Sequence, residues 1–312
     1  EGIIMEQAFN QVCDEVLNKL ESDEHLIISF AGEKSIFIRF NNAKIRQIGH
    51  VDDANISLNL MKKNRSTRGS CTFCGDKNID LPIILQELSR LRSEVDQLPL
   101  DPFIVLPEDF GSTHEINEGN ILSDEEIVNT ILPIVQGVDF TGIWASGPLY
   151  RGSANSAGQR HWFSTETYSL DYSLITPDEK MVKGTFAGTK WDQEKFQSDF
   201  NLKKRQLEVM KRPAKKVTPG KYRTCLAPAA VADIIDMFSW GGLGEASIQQ
   251  GDSSLCKMRR DNTRLSPMLN LSEDFRSGMV PRFNGNGEVC PELLPLFKNG
   301  NLENTLVSSR TA

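Results

Sequence analysis

Apolar residues recur at helical spacing at the start of the chain. Ile4, Ala8, Val12, Val16 and Leu20 fall on one side of a helix predicted over 1–20. β-rich runs follow at 26–30 and 35–40, split by Gly32-Glu33, with the next turn at Asn41-Asn42-Ala43. Positions 44–48 and 55–60 alternate polar and apolar, which predicts strands wet on one face and buried on the other. A fifth, very polar strand is predicted over 62–72. The pattern then returns to a helix over 79–98, with Ile83, Ile84, Leu88, Leu91 and Val95 inward and Arg90, Arg92 and Glu94 outward. Pro99 and Pro102 stop it, because proline lacks an N–H and restricts the residue before it.

The stretch to about 121 reads as loop. Ser123-Asp124-Glu125-Glu126 is a capping-box signature opening a helix through Val135. From 139 to 189 the chain is β-rich, most plainly at 140–144 and 162–170. A charged helix is predicted over 192–211, ending before Pro213, and Lys211, Arg212, Lys215 and Lys216 form a basic linker. This order predicts an α+β fold of antiparallel sheets flanked by long helices, in two lobes meeting near 211–220. The expected division is an N-terminal α+β domain over 1–215, with subregions 1–98 and 120–211, and a β-rich C-terminal domain over 216–312.

Composition narrows the function classes. The 35 basic and 42 acidic side chains leave a net charge of −7, which argues against a sequence-independent grip on nucleic acid. No apolar run approaches the roughly 20 residues that span a bilayer, and 1–20 is amphipathic, unlike a signal peptide. Six cysteines in 312 residues are too few for a disulfide scaffold, so a reducing, cytoplasmic setting is expected.

Candidate chemistry is sparse. A hydrolytic zinc centre needs two or three converging ligands and an open position for water. The four histidines, His25, His50, His114 and His161, are too far apart for any two to share a helical face. His161 follows the turn Asn155-Ser156-Ala157-Gly158; it reads as a strand or turn histidine, or as a substrate or partner contact. Cys71-Thr72-Phe73-Cys74 lacks the second pair of a structural zinc site and the helix start of a redox motif, so packing is the simpler role. Gly241-Gly242-Leu243-Gly244 lacks the spacing of a phosphate loop and reads as a flexible segment, where glycine lets another backbone approach. Gly285-Asn286-Gly287 reads as a tight turn between two strands.

Several segments in order resemble one family: Phe37-Ile38-Arg39-Phe40-Asn41-Asn42, Leu98-Pro99-Leu100-Asp101-Pro102, the Asn155–Gly158 turn, Tyr222 to Pro228, Ser239 to Ala246, Gly251 to Leu255, and Pro281-Arg282-Phe283-Asn284-Gly285. The chain is similar to the TldD/PmbA family of peptidase-related proteins, once called modulators of DNA gyrase. Active subunits of that family carry a zinc-binding His-Glu-x-x-x-His helix after the apolar run at 226–235. Here the place holds Phe238-Ser239-Trp240-Gly241-Gly242, which resembles the TldE/PmbA branch.

The resemblance implies a zinc-free subunit of a metallopeptidase complex that cleaves or matures unstructured peptides. No cofactor is then expected on this chain, and zinc is expected on a TldD-like partner; the chain is not expected to catalyse alone. The implied partners are that zinc-bearing subunit or a second copy of the chain, and an extended peptide substrate, with neither membrane nor nucleic acid. Asn155, Ser156, Gly158, His161, Ser239, Gly241, Gly242, Glu245 and Ser253 are the residues it places facing peptide or partner. Because family members continue past the point matching Ala312, 216–312 is expected to be a truncated domain. Two other readings stay open: a homo-oligomeric peptide-binding scaffold without peptidase activity, and a self-sufficient metallopeptidase with ligands the motifs do not reveal.

Overall fold

The computed structural model describes residues 2–312, which divide into two compact units. The first comprises 2–101, 106–215 and the tripeptide 285–287; the second comprises 102–105, 216–284 and 288–312. In the first unit, α1 (Gly2–Leu17) leads into β1 (Glu24–Asn41), β2 (Lys44–Lys62), β3 (Arg65–Thr72) and α2 (Lys77–Val95). After β4 (Thr113–Asn117) and α3 (Asp124–Val135) come β5 (Asp139–Asn155), β6 (Arg160–Ile175), β7 (Met181–Gly188) and α4 (Gln193–Met210). The strands make one sheet of seven, in the order β3-β2-β1-β5-β6-β4, with β7 also on β6. Every pair is antiparallel except β4–β6.

Two hydrophobic cores sit on alternate positions of this sheet, as the two-residue period of a strand dictates. Leu26, Ile28 and Phe30 of β1 pack with Ile56, Leu58 and Leu60 of β2 and with Val12, Val16, Ile84, Leu88 and Leu91 of α1 and α2. Ile36, Ile38 and Phe40 of β1 pack with Trp144, Leu170 and Tyr172 and with Ile127, Ile131, Phe196 and Phe200 of α3 and α4.

The runs predicted as separate strands at 26–30 and 35–40 are one strand, β1, and those at 44–48 and 55–60 are one strand, β2. Gly32 is no turn residue. A Cβ there would lie 2.9 Å from the Phe30 ring and 3.3 Å from Ala54 Cβ, so glycine serves close cross-strand packing. Gly49 lies under the Phe37 ring in the same way, with an added Cβ only 2.4 Å from it. Ile83, predicted inward, is 40% exposed. The capping box is present as predicted: the Ser123 N–H donates to Glu126 Oε2 at 2.9 Å and opens α3.

The second unit holds α5 (Pro228–Asp236), a 3₁₀ turn at Met237–Ser239, α6 (Glu245–Gln250), α7 (Cys256–Arg260), β8 (Leu271–Asp274), β9 (Leu293–Lys298) and β10 (Asn301–Leu302). The expected β-rich character is corrected here. One short three-stranded sheet, β10-β9-β8, packs with brief helices around Leu243, Leu255, Met258, Leu296 and Phe297. Glycines with left-handed backbone at 241, 251, 278 and 300 cut the chain into turns before longer strands can form.

One buried charge ties three elements of the first unit. The Glu24 side chain has no exposed surface; Arg92 of α2 donates to both its oxygens at 2.8 and 2.7 Å, and the Glu21 N–H donates at 2.9 Å. Lys62 of β2 lies 3.9 Å away. Burial alone would raise this carboxyl's pKa, but the Arg92 and Glu21 hydrogen bonds and the two cations hold it below its usual value of 4.5. Its contribution is therefore complete above about pH 4.5 and is lost as pH falls through the lower folded value. Arg92→Met, which strands the carboxylate, is expected to cost about 3–5 kcal/mol in urea unfolding, and Glu24→Met/Arg92→Met to restore most of it.

Candidate functional site

The turn after β5 is a polar node at one end of the sheet face that carries no helices. Asn155 is buried, and its Oδ1 accepts the N–H groups of Ala157 (3.0 Å) and Gln159 (3.2 Å), which folds the turn; its Nδ2 donates to the Glu108 carbonyl at 3.0 Å. Ser156 closes the turn onto β1, its Oγ accepting from Leu26 N–H at 3.1 Å while its own N–H donates to the Leu26 carbonyl. Gly158 takes φ +101°, a conformation that glycine adopts without strain. Gln159, buried as well, donates to the Gly111 carbonyl at 2.9 Å.

His161 completes the node. Its Nδ1 accepts the Thr113 N–H at 3.1 Å, which leaves the proton on Nε2, and Nε2–H donates to the Gly287 carbonyl at 3.0 Å. The imidazole is thus neutral with both nitrogens engaged. Burial lowers its pKa below the usual 6.5, against the opposing pull of the Gly287 bond and of Asp109. In this geometry the ring pins the 109–113 segment and Gly287 to β6. Thr113 and Gly287 were not visible as partners in the sequence, since they meet His161 only through β4–β6 pairing and the long-range return of 285–287.

The other predicted residues gather in the second unit. Gly241 is left-handed at φ +83°, and a Cβ on Gly242 would press to 3.0 Å on the Phe238 carbonyl. Ser253, buried, donates to the Gly242 carbonyl at 2.6 Å and accepts from Leu255 N–H at 3.0 Å. Ser239 donates to the Asp236 carbonyl at 2.6 Å. Glu245 receives Arg259 at 2.7 and 2.8 Å, Gln249 at 3.0 Å, and the Thr305 hydroxyl. Arg259 first, then Thr305 and Gln249, bring its carboxyl down to about 2. The segment is a compact, internally bonded turn rather than a loose loop.

Metal-binding chemistry is thin on this chain. Each histidine stands on its own strand: His25 on β1, His50 on β2, His114 on β4 and His161 on β6. His50 meets Asp124 and His114 meets Glu6, both at 3.1 Å. Among the described residues no three His, Cys, Asp or Glu side chains gather as a metal-binding group. Helix α5, which follows the apolar run, offers only Asp233 and Asp236, both exposed. Two carboxylates without imidazole or thiolate do not fit zinc. Cys71 and Cys74 are free, and burial first, then Glu87 and Asp80, pushes the Cys71 thiol up, away from nucleophilic thiolate. Among the described residues no helix is long and apolar enough to cross a membrane.

Because folding depresses the His161 pKa, its contribution to stability is complete above about pH 6.5 and is lost as pH falls from there toward the folded value. Melting temperatures between pH 5 and 8 are expected to decline on the acid side, and His161→Gln to flatten that decline.

The family model for the PmbA/TldA metallopeptidase C-terminal domain matches residues 219–312. No curated protein matches the chain. Three solved structures share the fold at low identity. A proposed modulator of DNA gyrase from Thermotoga maritima MSB8 superposes with a TM-score of 0.71 at 14% identity, over 98% of this chain and 71% of that one. A second proposed modulator, from Bacteroides thetaiotaomicron VPI-5482, gives 0.72 at 15% identity, over 98% and 72%. TldE from Thermococcus kodakarensis gives 0.69 at 13% identity, over 97% and 70%. The C-terminal segment 219–312 thus matches the PmbA/TldA metallopeptidase C-terminal domain, and nearly all of the chain shares its fold with these three solved structures.

Proposed function

We propose that this chain is the TldE/PmbA-type, zinc-free subunit of a metallopeptidase complex that processes unstructured peptides. The observation that carries this reading is the donor set of the second unit. The C-terminal domain is of a metallopeptidase family, yet it contains no histidine, and α5 presents two aspartates where a zinc helix needs imidazoles. In this reading a TldD-type partner brings the zinc and its activated water, and this chain contributes surface that holds peptide.

Two features of the first unit suit an extended peptide. Strand β3 is an edge strand, rich in Ser, Thr and Arg, whose outer main-chain groups can pair with an added strand. The helix-free face beside it is lined with hydroxyl and amide side chains. The net charge of −7 gives no support to a direct hold on DNA.

Co-expression of the full chain with a family member bearing His-Glu-x-x-x-His tests the assignment. The expected result is co-elution in size-exclusion chromatography, zinc only in the mixed complex, and chelator-sensitive peptide cleavage that neither chain shows alone. Stoichiometric zinc and cleavage by this chain alone would overturn the zinc-free assignment; a self-assembly indifferent to the partner would overturn the subunit assignment.

A further inference from the structure

A groove of about 410 Å³ crosses the helix-free face from the sheet edge inward, over β3, β2 and β1. Its polar lining is set by strand register. Arg68 faces Asn59 across β3–β2, Ser70 faces Ser57, and Ser57 in turn faces Ser29 on β1. These positions alternate with the core residues Leu58, Leu60, Ile28 and Phe30, so they share the opposite face. On the β1 side the groove is bounded by Gly285, whose carbonyl accepts the Ser29 hydroxyl at 3.0 Å.

The chemistry of this lining points one way. It includes a guanidinium and no carboxylate. Arg68 is exposed and its side chain forms no ion pair or hydrogen bond among the described residues, unlike Arg90 and Arg92 on the neighbouring helix, which are held by glutamates. Asn59 is equally unused: its Oδ1 is buried without a partner, and its amide makes no other hydrogen bond among the described residues. The soft terminal torsion of asparagine lets Asn59 turn its Nδ2–H2 into the groove as a donor. The Ser57 and Ser70 hydroxyls have protons to give. Arg68, Asn59, Ser57 and Ser70 are thus a set of donors around one cation, the arrangement that binds a planar oxyanion.

The larger cleft of about 730 Å³ at the other end of β1 lacks this character. There Lys34 and His50 are outnumbered by Asp52, Asp124, Glu126 and Glu166, so the net sign is negative and disfavours an anion.

We propose that the groove is a subsite for the C-terminal carboxylate of a peptide, with Arg68 as its principal anchor. This rests on the peptide-handling reading above. A strand added along β3 passes directly beside Arg68, and Gly285 stops the groove two strands further in, which suits a chain end better than a chain passing through.

The test measures fluorescence anisotropy of a labelled decapeptide of uncharged residues against the full chain, with and without its zinc-bearing partner. The free-acid peptide is expected to bind about tenfold or more tightly than its C-terminal amide, as loss of a charged hydrogen bond predicts. Arg68→Gln is expected to erase that difference without moving the melting temperature, and Arg68→Lys to keep part of it. Equal binding of acid and amide, or undiminished discrimination by Arg68→Gln, overturns the subsite and leaves the peptide reading standing. An amidated peptide with one internal glutamate that binds as well as the free acid overturns the assignment to a chain end. Inorganic phosphate at millimolar concentration displacing the peptide through Arg68 overturns the preference for a carboxylate. Failure of every peptide to bind, to the chain alone and to the complex, removes the peptide reading and the subsite together.

Discussion

The main-chain pairing of β1 is the constraint on which the first unit depends. This 18-residue strand is hydrogen-bonded on one side to β2 and on the other to β5, so its alternation sets the alternation of its neighbours. On β1, Leu26, Ile28, Phe30, Ile36, Ile38 and Phe40 fill the two cores, and the residues between them face the other way. A one-residue slip would exchange Leu26, Ile28 and Phe30 with Ile27, Ser29 and Ala31, putting a hydroxyl and a small side chain where Ile28 and Phe30 fill the first core. The Glu24–Arg92 pair helps fix this register at the start of the strand, because only one alignment brings the carboxylate under the guanidinium of α2.

Much of this arrangement was legible in the chain. Periodicity located α1, α2, α3 and α4 and most strand positions, since each is long enough to express its own repeat. The unread part has a physical pattern. Gly32 and Gly49 look like breaks in one dimension but serve close approach to Phe30 and Phe37 in three. Strand β4 is only five residues, polar, and paired in parallel with β6, so nothing local announces it. In the second unit, expected to be β-rich, turns dominated by glycine leave only short strands.

The candidate residues divide by the same logic. The turn at 155–158 was recognisable because its side chains bond their own backbone, a local interaction that leaves a sequence signature. The partners of His161 were not, because Thr113 and Gly287 come from 48 and 126 positions away. The Arg68 groove left no motif either. It exists through register, as residues from three strands that share a face, and Arg68 alone in the sequence is an ordinary surface arginine.

The location of Gly287 has a consequence for how the molecule must be made. The first unit is not a continuous stretch of sequence: residues 285–287 belong to it although the rest of 216–312 does not. A ribosome that has released 1–215 has therefore delivered an unfinished structure, with the Nε2–H of His161 still lacking its carbonyl. About 70 more residues must emerge before that seam closes, and β9 and β10 of the second unit emerge later still, so neither unit is complete until nearly the whole chain has been made.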